Sequence, residues 1–118
     1  MTGMVNGAAF VDRFYELLEA GDIDALVELY DEGAEIVRYD GVADNPGAIR
    51  AYFRNYLLHH PGFALRLVDP IREADDVLMW DALIDTDNGV LMTVHVIVFD
   101  DDGKIRRHIP GVRGYWGG

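Results

Sequence analysis

The alternation of apolar and polar residues is most informative in the segment 77–99. Two runs rich in β-branched and apolar residues flank Asn88-Gly89, a dipeptide that favours the tight turn of a β-hairpin. We therefore predict a long hairpin with Asn88 and Gly89 as its loop. In an antiparallel hairpin, residues at equal distances from the turn face each other, so Trp80 is expected to face Ile97.

The two faces of the second hairpin strand are both apolar. One face carries Leu91, Thr93, His95, Ile97 and Phe99. The other carries Met92, Val94, Val96 and Val98. A solvated sheet alternates apolar with polar residues, so this sheet is expected to be covered on both sides. We predict helices on the first face and a second copy of the chain on the face of Met92, Val94, Val96 and Val98, hence a homodimer.

Helical spacing of apolar residues predicts three helices before the hairpin. The first covers 7–20 and stops at Gly21, and Asp22 caps a shorter second helix that ends near Gly33. Asn45-Pro46 begins the third helix, which stops before Pro61-Gly62.

The remaining segments predict strands and turns. We expect a short strand over 34–40, a loop over 41–44, and a second strand from Phe63 past Pro70 to an acidic turn. A turn at 100–103 follows the hairpin and leads into a last strand over 104–112. Three helices followed by a four-stranded meander predict an α+β domain whose sheet buries one face on the helices.

Length and composition indicate one folded domain. The chain has 118 residues, half of them hydrophobic, which is enough for one core. We expect residues 1–6 to be a loose lead-in and residues 7–118 to form the domain.

The charge balance limits the partners. With 10 Lys+Arg against 21 Asp+Glu, the net charge is −11, which argues against binding nucleic acid or anionic membrane surfaces. Cysteine is absent, so there is no disulfide framework or thiolate metal site. Without a signal-peptide pattern or an apolar run of membrane-spanning length, a cytoplasmic location is expected.

Several segments resemble one superfamily. The opening 14–26, with Ala-Gly-Asp-Ile-Asp at 20–24, is followed by Tyr30 and a strand-like 34–37. This opening resembles the nuclear transport factor 2-like superfamily, including SnoaL-like polyketide cyclases, ketosteroid isomerases and limonene epoxide hydrolase. Segments 47–53 and 99–105 resemble its third helix and last hairpin. The resemblance implies a curved antiparallel sheet wrapped around three N-terminal-half helices as a cone, an apolar pocket, and usually a dimer.

The catalytic positions of ketosteroid isomerases are only partly matched. The resemblance places Arg38 where those enzymes have their carboxylate base, and Phe14 where they have an oxyanion-binding tyrosine. His95 stands at the position of their donor acid and Phe53 at that of a third-helix tyrosine, whereas Tyr30 does match a tyrosine found in part of that family. The aspartate of SnoaL-like cyclases falls near 108–110, where no carboxylate stands, and the Asp-Arg-Asp set of the epoxide hydrolases is not evident.

Strand parity and the resemblance together predict a pocket. Its polar residues are expected to be Tyr30, Arg38, Asp40, Thr93, His95 and His108. Its walls are expected to be Phe14, Phe53, Trp80, Ile97 and Val112. An apolar cavity with a few convergent polar groups is the usual form of a small-molecule site.

His95 has two interpretations. Imidazole titrates near neutrality, so His95 can serve as a general acid/base assisted by Asp40, Tyr30 and Arg38. Alternatively, it is a core histidine whose ring is satisfied by Thr93, Tyr30 or a backbone carbonyl.

Arg38 and His108 also have alternative roles. Arg38 either forms a salt bridge with Asp40 or Asp44 at the rim or binds a carboxylate or phenolate of a ligand. His108 faces either the pocket or, after a one-residue register change, the solvent. A metal site of His95, His108 and Asp40 has suitable residue types but no spacing motif, so we predict no metal and no cofactor.

These observations lead to one main functional hypothesis and two alternatives. The first is a cofactor-independent enzyme of isomerase, cyclase or hydrolase type, acting by proton transfer on a small apolar carbonyl- or hydroxyl-bearing molecule. The second is a non-catalytic dimeric binder of a hydrophobic molecule, or an accessory module. The third is a structural assembly domain.

Overall fold

The computed structural model describes residues 6–117, in which three helices and six strands follow one another. Their order is α1 (Gly7–Ala20), α2 (Ile23–Glu28), β1 (Tyr30–Arg38), β2 (Gly41–Ala43), α3 (Pro46–His59), β3 (Ala64–Ala74), β4 (Val77–Thr86), β5 (Gly89–Phe99) and β6 (Ile105–Gly117). The predicted lead-in lies outside the described residues except for Asn6.

Side chains flanking the helices explain where the helices begin and end. The side chains of Asn6, Asp22 and Asn45 accept hydrogen bonds from backbone N–H groups in the first turns of α1, α2 and α3. Gly21 ends α1 in the left-handed region at φ 69°, which glycine adopts without steric cost. The predicted first and third helices are therefore confirmed.

The six strands form one open sheet in the order β2-β1-β6-β5-β4-β3. All neighbours are antiparallel except β1 and β6, which run parallel. α1 packs against β3, and α3 packs against β1 and β2, so the helices cover one side. The predicted α+β fold with a mostly antiparallel sheet is confirmed, and none of the described helices is long and apolar enough to cross a membrane.

Three predicted boundaries are wrong. α2 ends at Glu28, and Tyr30 already begins β1 because it pairs with Ile105 across the parallel ladder, before a bulge that precedes Glu35. The segment 41–43 is a short strand, not a loop, because it pairs with the end of β1. β6 runs on to Gly117 because β5 offers backbone partners along its whole length.

The central hairpin forms, but its register differs by two residues from the prediction. Trp80 faces His95, not Ile97, because the two turn residues are Asp87 and Asn88. The hydroxyl of Thr86 closes this turn by donating to the Gly89 carbonyl at 2.9 Å and accepting from the Asn88 N–H at 3.2 Å. A shift of two residues leaves every side chain on its predicted face.

The two faces of β5 therefore have the predicted composition. Its inward side chains, Leu91, Thr93, His95, Ile97 and Phe99, are all buried. Its outward side chains, Met92, Val94, Val96 and Val98, are half-buried within the described chain. The outer face is thus apolar and partly open to solvent.

Candidate functional site

A cavity of about 540 Å³ opens between α3 and the strands β1, β5 and β6. It is lined by Arg38, Tyr39, Asp40, Tyr52, Tyr56, His60, Thr93, His95, Pro110, Gly111 and Val112. Apolar and aromatic groups dominate this surface, and its polar groups come from β1 and the turn after it, from β5, and from α3 and its end.

Behind the cavity, three buried polar side chains form a hydrogen-bonded row. Nδ1 of His95 lies 2.9 Å from Nε2 of His108, and Nδ1 of His108 lies 2.8 Å from the hydroxyl of Tyr30. Strand pairing brings them together, since β6 lies between β1 and β5 and all three side chains point inward. We call Tyr30, His108 and His95 the relay.

The relay has a preferred direction of donation. The described residues include no second partner for the Tyr30 hydroxyl, so its proton is satisfied only if it is donated to Nδ1 of His108. His108 then carries its proton on Nε2 and donates to Nδ1 of His95. His95 is left with its proton on Nε2, the ring nitrogen not engaged by the relay, and so is a hydrogen-bond donor for the cavity that it lines.

Aromatic side chains hold the imidazole of His95 in place. The Trp80 ring stacks on it at 4.7 Å between centroids, with 16° between the planes. Trp80 is fixed in turn, because its Nε1 donates a hydrogen bond of 2.8 Å to the Tyr15 hydroxyl. Phe14 meets both imidazoles edge-on at 6.0 Å. The ring therefore has little freedom to turn away from the relay.

Burial keeps the relay neutral. Desolvation lowers the pKa of His95 to about 3. Desolvation also lowers the pKa of His108 well below its ordinary value, and repulsion between the protonated forms of the two imidazoles adds to this effect. Burial raises the pKa of Tyr30, and the nearby Tyr52 adds to this effect. At neutral pH, both imidazoles and the phenol are therefore uncharged.

Arg38 is the principal cation at the cavity. Its guanidinium lies 5.1 Å from the centre of the Tyr52 ring, and its Nη1 lies 3.5 Å from a carboxylate oxygen of Asp40, which confirms the predicted rim salt bridge. Its Nε is buried without an acceptor in residues 6–117. Burial raises the pKa of Tyr52 to about 12, although the charge of Arg38 acts in the opposite direction.

The predicted pocket residues divide into three groups. Arg38, Asp40, Thr93, His95 and Val112 line the cavity. Tyr30 and His108 are buried one layer behind it, where His108 contacts His95 and Tyr30 contacts His108. The expected walls Phe14, Phe53, Trp80 and Ile97 lie in the core, because they pack against the relay and one another.

Sequence reasoning missed three cavity residues on α3 and its end. Tyr52, Tyr56 and His60 line the cavity, and their spacing of four residues places them on one side of a helix. In the sequence, both tyrosines share the apolar stripe of the third helix with Ile49 and Phe53, which favours a place in the core. The two phenol hydroxyls in this stripe are the feature that could have indicated a cavity, because a buried tyrosine usually keeps its hydroxyl near a polar partner or a cavity.

His95, His108 and Asp40 do not form the metal site for which their residue types are suitable. His95 and His108 bond to each other, and the Asp40 side chain is 75% exposed at the rim. Across residues 6–117, no group of three His, Cys, Asp or Glu side chains is arranged to hold a metal ion.

Comparisons with known proteins agree on the fold. The chain superposes on a SnoaL-like protein of unknown function from Burkholderia thailandensis with a TM-score of 0.79, at 16% identity, covering 92% of this chain and 95% of that one. A proposed isomerase of the SnoaL-like family from Agrobacterium tumefaciens gives a TM-score of 0.78, at 13% identity, covering 94% and 100%. An NTF-2 like protein of unknown function from Burkholderia xenovorans gives 0.73, at 17% identity, covering 92% and 83%.

At sequence level, no curated protein matches the chain. The sequence model of the SnoaL-like domain matches residues 11–108, which include most of α1, all of α2 and α3, the relay and most of the sheet. The chain therefore belongs to the SnoaL-like domain family.

Proposed function

We propose that this protein is a cofactor-independent acid/base enzyme of isomerase type, acting on a small and largely apolar carbonyl compound in the 540 Å³ cavity. The observation that carries the proposal is the relay, which directs a neutral imidazole donor at an apolar cavity. Buried donors aimed at a developing negative charge are a principal means of stabilising enolate-like transition states.

His95 acts in this proposal as a hydrogen-bond donor to the carbonyl oxygen. Complete transfer of its proton would require a proton to follow from Tyr30 through His108. The pKa of the Tyr30 phenol is raised by burial, which opposes that transfer. The proton therefore stays on His95, and the imidazole stabilises the enolate without becoming charged.

Asp40 is the candidate base, because it is the one carboxylate among the residues that line the cavity. It would take a proton from the carbon beside the carbonyl group and return it to another carbon of the enolate. Nη1 of Arg38 lies 3.5 Å from the Asp40 carboxylate, so a positive charge stands beside the candidate base at the rim.

A cyclic β,γ-unsaturated ketone tests this proposal, because its conversion to the conjugated isomer is followed by ultraviolet absorbance. We expect His95→Ala to lower kcat/KM by a factor of about 10²–10³, and Asp40→Asn by about 10²–10⁴. The matched control is Asp44→Asn, an exposed acid nearby that does not line the cavity. Full activity of both cavity variants would contradict the proposal.

A non-catalytic binder is the second candidate, and one observation favours it. Asp40 is largely exposed and paired with Arg38, whereas general bases in such enzymes are usually desolvated. Three results together would identify a binder. The wild type would bind the ketone, His95→Ala would lose this binding, and neither conversion nor deuteration of the ketone would be detected.

For the quaternary structure we propose a homodimer formed by the outer sheet face. Met79 and Ile109 lie beside Val96 on this face and are 43% and 42% exposed. With half-buried Val94 and Val98 they form a continuous apolar surface, for which a second copy is the suitable cover.

A further inference from the structure

We propose that the molecule bound in the His95 cavity carries a carboxylate and that Arg38 binds it. This inference rests on the proposed function, since it names the class of substrate: a small apolar acid that also contains a carbonyl group. It starts from the position of Arg38, which lines both the 540 Å³ cavity and a second cavity of about 450 Å³. The guanidinium therefore stands where the two cavities meet.

The guanidinium is poorly satisfied by the protein. Its contact with Asp40 is 3.5 Å long, beyond the 2.7–2.9 Å of an ordinary charge-assisted hydrogen bond. Asp40 is 75% exposed, so solvent screens the pair and little free energy holds it together. Nε has no acceptor within residues 6–117, although a covered N–H without a partner is costly.

A carboxylate would replace the long contact with Asp40 by a strong one. Nη1–H and Nη2–H form a planar pair that fits the two oxygens of one carboxylate. Nε is covered by protein, so a ligand in the cavity meets the guanidinium through these two terminal groups. The Tyr52 ring, 5.1 Å from the guanidinium, keeps the charge near the cavity.

The other polar groups of the cavity suit the same ligand. His95 offers an N–H for a carbonyl oxygen, and Asp40 is the one anion in the lining. A single arginine without lysine in the lining matches a monoanion rather than a phosphate ester. A chain of net charge −11 repels anions in general. Arg38 therefore supplies the positive charge that an anionic ligand would need in this cavity.

Benzoylpropionate and its neutral amide test the proposal as a matched pair with the same aryl ketone body. We expect titration calorimetry to give at least about tenfold tighter binding for the acid, and Arg38→Met to remove that preference. Arg38→Lys, which keeps the charge but lacks the planar pair, should retain part of the preference. Asp40→Asn should strengthen acid binding, because it removes the competing carboxylate.

Arg113→Met is the control, since Arg113 pairs with Asp81 away from the cavity lining. Equal binding of acid and amide, or equal loss of both in Arg38→Met, would overturn the proposal. So would Arg38-dependent binding of nitrophenolate without binding of benzoylpropionate. If Arg38→Met fails to fold, Arg38→Lys and Asp40→Asn carry the test.

The outcome is separable from that of the proposed function. Arg38-dependent binding of the acid without any turnover would leave the anion site in place and contradict the isomerase. Turnover of the neutral ketone that is equal in wild type and Arg38→Met, with no preference for the acid, would support the isomerase and contradict the anion site.

Discussion

Nε2 of His108 lies 2.9 Å from Nδ1 of His95, so the two buried imidazoles share one hydrogen bond and only one of these nitrogens carries the proton. Which nitrogen carries it is decided one step further back, by the Tyr30 hydroxyl on the other side of His108. The tautomer of a cavity residue is thus set by a tyrosine that does not line the cavity.

Replacing Tyr30 with Phe should therefore allow His95 to adopt both of its neutral tautomers. The change leaves Nδ1 of His108 without its donor, so both directions of donation between the imidazoles become available. Long-range ¹H–¹⁵N NMR of the histidines should show His95 protonated at Nε2 in the wild type and a mixture in the variant. We also expect a loss of about 1–3 kcal/mol in the free energy of unfolding. Tyr39→Phe, at a fully exposed position, is the control; unchanged His95 signals in Tyr30→Phe would refute the direction assigned to the relay.

The free energy of unfolding should fall as the pH is lowered below about 6.5. The unfolded chain binds protons at its histidines near this pH, whereas His95 in the folded chain stays neutral until about pH 3 and His108 also resists protonation. Each neutral imidazole contributes up to about 1.4 kcal/mol per pH unit within this window. Above pH 6.5 both states are neutral, and neither imidazole contributes a pH dependence.

Urea titrations between pH 7.5 and pH 5 measure this dependence. His108→Gln removes one of the two groups and should make the slope shallower, whereas His59→Gln, at the exposed end of α3, should leave it unchanged. A slope that is the same in wild type and His108→Gln would show that the buried histidines do not cause the dependence.

Val96→Asp should disrupt the proposed dimer, because a carboxylate would be placed in the middle of the apolar outer face. We expect native mass spectrometry to show a dimer for the wild type and a monomer or an aggregate for the variant. Leu58→Asp, at an exposed position on α3, should remain dimeric. A Val96→Asp dimer of undiminished stability would exclude this face.

Gly89→Ala should destabilise the sheet strongly. Gly89 has φ 140°, and a Cβ at this position would lie 2.0 Å from the carbonyl oxygen of Trp116, so β5 and β6 would have to separate. We expect a loss of more than about 1 kcal/mol by thermal or urea unfolding. Gly21→Ala, which also has positive φ but no atom nearby, should cost less; equal losses would show that crowding is unimportant.

The sequence was sufficient for the fold wherever the signals were local. Asp22 and Asn45 mark helix starts through side chains that reach only three residues ahead, and the period of two along β5 separates its faces. The parallel pairing of β1 with β6 is non-local, and no local pattern at Tyr30 distinguishes a strand start from a helix end. The two-residue error in the hairpin register has a local origin instead, because Thr86 bonds to Asn88 and Gly89 and closes a turn one residue earlier than the Asn-Gly dipeptide predicts.

The candidate site was predicted in its members but not in its arrangement. Parity along β5 identified His95 as an inward residue but left His108 either in the pocket or in solvent, and parity does not give the distance between side chains on two strands. The direct imidazole–imidazole bond depends on β6 lying next to β5 at a particular register. Similarly, Phe14 and Trp80 are aromatic and inward, but only packing distinguishes a core residue from a cavity wall.

The central place of β6 in the sheet has a consequence for the order in which the molecule forms. Tyr30 and His108 are 78 positions apart, and the strand that carries His108 inserts between β1 and β5. Contacts of such long sequence separation form slowly, because the intervening chain must first be ordered. A ribosome-bound chain would therefore hold two unpaired strand edges and no relay until β6 had emerged, and the cavity would be complete only when β6 had joined β1 and β5.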